Sequence, residues 1–171
     1  MAGRVDIHCM PDIHIRPTSS EDADFISRTI NRLWGADFLV VKEKVFYPAD
    51  HPGYIAEEGN EIMGLINYAM ADGDCQVLCL HALVEGRVVG SMLIEKVKDI
   101  ARQNGCRRLW LITTNDNTAA LRFYQKVGFQ LAALHRGAME RSRQIKPQIP
   151  LVGNDGIPIR DEIELEMRLK S

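Results

Sequence analysis

A chain of 171 residues, 46% apolar and 26% charged, has the makeup of one ordinary globular domain with room for a proper core. Its net charge of -2 leaves no electrostatic case for a nucleic-acid partner or an acidic membrane. No apolar run is long enough to span a bilayer and the N-terminus shows no secretory h-region, so a cytoplasmic protein is expected.

Residues 1–12 show no pattern and read as a flexible arm. Ile13 to Arg16 alternates and Pro17 ends it, which predicts a first strand. Ser19 and Asp22 form a capping box. The helix behind it carries Ile26, Ile30 and Leu33 on one face and stops at Gly35. Phe38 to Gly53 is strand or loop, broken by Pro48 and Pro52, and suits either a pocket wall or a plain connection. Tyr54–Glu57, a turn over 58–61, Ile62–Ala69 and a turn over 71–74 make an antiparallel meander.

The meander feeds a buried strand, Val77 to Val84, then Glu85-Gly86 and a helix with Leu93, Val97 and Ile100 on one face, ending at Gly105. The free N–H groups at such a helix start sit at the positive end of its dipole and suit an anion, so Glu85 to Ser91 is a candidate phosphate cradle. An ordinary strand-to-helix turn is the plain alternative. Cys106 to Thr114 is β-rich and follows a crossover helix, so it pairs parallel to the Val77–Val84 strand. A helix with Ala120, Phe123 and Val127 on one stripe runs to Gly128, and Phe129–Leu134 reads as a strand. Ala138–Lys146 reads as a polar helix and 147–158, with three prolines and two glycines, as a loop. Asp161–Leu169 alternates charged and apolar residues, which predicts a half-exposed closing strand able to serve as a dimer edge.

Cys9, Cys75, Cys79 and Cys106 form no CxxC pair, so reduced, buried thiols are expected. The histidines His8, His14, His51, His81 and His135 are scattered, so no metal site is expected. No G-x-G-x-x-G follows an N-terminal strand, which removes a dinucleotide enzyme.

Asn117-Thr118-Ala119-Ala120-Leu121-Arg122-Phe123-Tyr124-Gln125-Lys126-Val127-Gly128-Phe129 resembles the N-x-x-A-x-x-F-Y-x-x-x-G-F signature of the GCN5-related N-acetyltransferases. Glu85-Gly86-Arg87-Val88-Val89-Gly90-Ser91 resembles their acyl-CoA phosphate loop. The resemblance runs from Ile13 onward and implies an α/β (α+β) fold over 13–171. The sheet is mixed and mainly antiparallel, with a central splayed parallel strand pair and flanking helices. It implies an acetyl-CoA cosubstrate, no metal, and direct attack by an amine acceptor, in a monomer or homodimer. Backbone from Glu85 to Ser91 would meet the pyrophosphate, and backbone from Leu80 to Leu83 the pantetheine arm. An N–H near Ala82 or Leu83 would serve the thioester oxygen. Arg87 and Arg122 would reach the ribose phosphate, Asn117 would hold CoA or cap its helix, and Ala120 and Phe123 would line the cofactor. Tyr124 occupies the position of the acid that protonates the departing thiolate.

The chain departs from the loop pattern twice. Val88 stands where glycine is usual and fits only with a negative φ and a side chain toward the core. Glu85 puts a carboxylate near a pyrophosphate, which is unfavourable unless it turns to solvent. Where many relatives carry a basic glutamate this chain has Gln76, which cannot take a proton. His81 is the leading base candidate by its intrinsic pKa, with Glu57, Asp161 and a water chain behind it. The alternative function is a non-catalytic acyl-CoA-binding module.

Overall fold

A computed structural model describes residues 12–83 and 87–169. Val84, Glu85 and Gly86 lie outside that set, as does most of the expected arm and the Arg87 side chain. Nine strands and four α-helices are described: β1 Ile13–Pro17, α1 Ala23–Trp34, β2 Leu39–Val41, β3 Lys44–Phe46, β4 Gly53–Glu58, β5 Glu61–Ala71 and β6 Asp74–Ala82. The second half holds α2 Arg87–Gln103, β7 Arg108–Thr114, α3 Thr118–Lys126, β8 Gln130–His135, α4 Ala138–Ile145 and β9 Glu162–Arg168. Seven strands form one sheet in the order β1-β4-β5-β6-β7-β9-β8, and β2 and β3 form a separate hairpin.

Local signals explain most of these boundaries. Asp22 accepts a hydrogen bond from the Ser19 N–H at 2.8 Å, as the capping box requires, and Gly35 ends α1 at φ 76°. Asp72 and Gly73 both adopt positive φ, the tight turn that joins β5 to β6. Helices cover both faces of the sheet. Ile26 and Ile30 of α1 pack on Ile55, Leu65 and Cys79. Leu93, Ile94, Val97 and Ala101 of α2 pack on the opposite face with Val77, Leu109, Leu111 and Leu165. Gly64 lets α2 come close, since a Cβ there would stand 2.8 Å from Val89 Cγ1 and 2.9 Å from the His81 carbonyl oxygen.

Two readings change. The 38–53 segment contains the β2–β3 hairpin, whose turn residues Lys42 and Glu43 take φ 48° and 63° without a glycine. The closing strand β9 is neither half-exposed nor an edge. It lies between β7 and β8, and Glu162, Glu164 and Leu165 are all buried. Its charged face is covered because Arg108, His135 and the hairpin supply partners for the glutamates. The edge next to it is β8, with Leu131 and Leu134 exposed.

Candidate active site

The site is built where two parallel strands part. β6 and β7 pair only through Cys75↔Leu109, Gln76↔Trp110 and Val77↔Leu111, although β6 continues to Ala82 and β7 to Thr114. A bulge begins at the same level. Asn67 pairs with Cys79 and Tyr68 with Val77, so Leu78 is an extra residue in β6. The bulge reverses the side-chain alternation. Val77 faces the α2 side, whereas Cys79 packs beneath α1. The strand pair thus opens a cleft whose β6 wall, Leu78 to Ala82, has no ladder partner on β7. Of the backbone donors named from sequence, Leu83 N–H is engaged, donating to the Met63 carbonyl at 2.8 Å.

The α2 side of the cleft holds most of the expected cofactor residues. Tyr124 lies between Phe123 and Phe129, with ring centroids 5.3 and 5.6 Å away in edge-on geometry. Burial, and then the neighbouring Cys79, push its phenol well above the ordinary value of 10.0. Asn117 caps α3, its Oδ1 accepting from Ala120 N–H at 3.2 Å. The Phe123 ring tip fills the space left by Gly90, where a Cβ would lie 3.0 Å from it. Gly90 therefore joins α2 to α3 whatever else it approaches. Ala120 is half-buried and Arg122 exposed. Val88 lies inside α2 and so meets the backbone condition, but its side chain is 54% exposed and points away from the core. Val89 takes the core position instead. Ser91 is half-buried in the first turns of α2. Glu85 and Gly86 lie outside the described residues.

The α1 side offers the groups that could handle protons. His81 follows Cys79 on this face, and burial, aided by Arg32, lowers its pKa, so the ring is neutral near pH 7. Gln76 is buried and its Nε2 has no partner among the described residues. The lesser base candidates are occupied. Glu57 accepts from Arg16 at 2.9 Å, and Asp161 accepts from the Gly137 N–H at 2.8 Å. Sequence reasoning missed Glu162 and Glu164, which face this side from β9. Glu164 is bound by Arg108 at 2.8 Å, His135 at 3.0 Å and Lys42 Nζ at 3.4 Å. Trp110 lies beside them, with Lys42 Nζ 5.5 Å and the Arg108 guanidinium 5.1 Å from its ring centre. Among the described residues no group of His, Cys, Asp and Glu could hold a metal ion. No described helix is long and apolar enough to cross a membrane.

The family model described as acetyltransferase (GNAT) family matches residues 20–129. The uncharacterized protein YxbD of Bacillus subtilis is 35% identical over 92% of this chain and 100% of its own length. The uncharacterized protein YdhI of the same organism is 40% identical over 76% of this chain and 82% of its own. A solved GNAT family acetyltransferase from Elizabethkingia anophelis, with acetyl-CoA bound, superposes with a TM-score of 0.69 at 19% identity, covering 94% of this chain and all of the other. At that identity the likeness establishes the shared fold.

Proposed function

The chain belongs to the GNAT acetyltransferase family, and we propose that it transfers an acetyl group from acetyl-CoA to a primary amine by direct attack in a ternary complex. The observation that carries this reading is the cleft between β6 and β7, opened by a short parallel ladder and a bulge beside Tyr124. A thioester arm can enter there as an added strand, bonding to backbone between Leu78 and Leu83. The stretch from Glu85 through Ser91, whose described part opens α2, receives the pyrophosphate on backbone N–H groups. Arg122, exposed on α3, and Arg87 meet the ribose phosphate. Asn117, Ala120 and Phe123 shape the wall beside the cofactor.

The chemistry needs a free amine, a polarised carbonyl and a stabilised leaving thiolate. A lysine-like ammonium has a pKa of about 10.4 and must lose a proton first. Backbone N–H groups of the β6 wall near Ala82, beyond the last β7 pairing, meet the charge that builds on the thioester oxygen. Tyr124 donates its hydroxyl proton toward the departing sulfur. Its raised pKa keeps that proton in place across the physiological range, and the proton released by the attacking nitrogen replaces it. His81 and Glu162 are the groups on the α1 side able to take the first proton.

A Tyr124→Phe variant tests the chemistry. Turnover is expected to fall by about a hundredfold, within the usual range for acid–base groups, with little change in the KM for acetyl-CoA. Unchanged turnover removes Tyr124 from the chemistry. The second reading is an acyl-CoA-binding module without turnover, which Gln76 favours because an amide cannot act as a base. Acetyl-CoA binding with no transfer to any amine would support it.

A further inference from the structure

We propose that Glu162 is the group that receives the acceptor's ammonium and takes its proton, beneath the Lys42–Glu43 turn. The proposal rests on the acetyl-transfer reading and supplies that reaction with its base.

The first observation is an unfilled carboxylate. Glu162 is 1% exposed, yet its contacts are the Lys42 backbone N–H at 3.3 and 3.4 Å, with no described side chain hydrogen-bonded to it. A carboxylate offers about four acceptor sites. Buried carboxylates are ordinarily filled, and Glu164, two residues on and on the same face, shows it with three side-chain partners. Glu162 keeps acceptor capacity that no described side chain uses.

Its place is the second observation. Glu162 pairs with Thr114, the last residue of β7, at the level where β6 has already left the ladder. It therefore lies at the β7 rim of the cleft, on the α1 side. The third observation is that this face of β9 already holds an ammonium. Lys42 Nζ lies against Glu164 and over Trp110, with its side chain 43% exposed. The turn that carries it is tied at the surface by Arg141 and Glu43.

The titratable and charged groups around Glu162 are Lys42 from the hairpin, His135 from β8 and Arg141 from α4. Burial raises its carboxyl pKa and those three oppose the rise. The result is a stronger base than an ordinary glutamate. His81 is the weaker choice, because burial, and then Arg32, lower its pKa and disfavour a second proton.

The step balances simply. The ammonium gives one proton to the Glu162 carboxylate and becomes a neutral amine. Its nitrogen lone pair attacks the thioester carbon, the C–N bond forms and the C–S bond breaks. The nitrogen loses its second proton toward the thiolate, by way of Tyr124, and Glu162 returns the first proton to water.

The test compares two small acceptors of similar shape with acetyl-CoA near pH 7. Ethylamine is an ammonium there, whereas trifluoroethylamine is already neutral. For Glu162→Gln the rate with ethylamine is expected to drop by about a hundredfold, while trifluoroethylamine changes by less than about threefold. Glu162→Asp keeps a carboxylate and is expected to recover part of the ethylamine rate. Equal losses with both amines, or no loss with either, overturn the assignment while wild-type transfer remains. If wild type transfers to neither amine nor to any other in a broader screen, the acetyl-transfer reading itself fails and the assignment falls with it.

Discussion

Asp22 and Arg16 show how a single contact both ends an element and sets a pH limit. Arg16 donates two hydrogen bonds of 2.9 Å to Asp22, and these hold the carboxyl down from 3.8 to about 2, against the opposing effect of burial. A carboxyl lowered in the folded state adds stability above its unfolded pKa and loses it as the pH falls through the folded one. The pair therefore supports the fold above about pH 4 and ceases to by about pH 2. Asp22→Asn is expected to lower the melting temperature at pH 7 and to flatten its fall over that window, which melting curves at several pH values will show. The thiols behave oppositely. Burial lifts Cys75 and Cys79 to about 12, so both stay protonated near neutrality. Alkylation by iodoacetamide is expected to be slow in the native protein and fast in denaturant.

At the scale of elements, glycine placement decides how closely α2 approaches the sheet. Gly64→Ala would press a methyl group against Val89 and the His81 carbonyl. The expected loss is about 1–3 kcal/mol, the usual cost of overpacking, read from chemical denaturation. Elements with local signals were legible in the sequence. The capping box at Ser19, the periodicity of Ile26 and Ile30, and the turn at Asp72-Gly73 all correspond to what is built. The β2–β3 hairpin was not legible, because Lys42 and Glu43 adopt left-handed backbone without the usual glycine or asparagine. The bulge at Leu78 was hidden too, since a continuous apolar run has no alternation to interrupt. β9 misled in a different way. Alternating glutamates signal exposure, but Arg108, His135 and Lys42 pair with Glu164 and allow the face to be buried. That is why Glu162 escaped notice. Tyr124, Asn117 and Gly90 were legible because they fall within a spaced motif.

For the whole molecule, the strand order brings the two halves of the chain together at one cleft. The meander of β4, β5 and β6 supplies one wall, and β7 with β9 the other. α2 and α3 cover one side of it, and α1 with the hairpin the other. Under the proposed reading, cofactor and acceptor approach the same point from opposite faces, as direct transfer demands. The measurement that tests this most directly is the melting temperature with acetyl-CoA, CoA or NAD added. A ligand at 100 times its dissociation constant stabilises by about 2.7 kcal/mol, a readily visible shift. The expected result is a rise with acetyl-CoA and CoA and none with NAD. No rise at millimolar acetyl-CoA would contradict a cofactor cleft between β6 and β7.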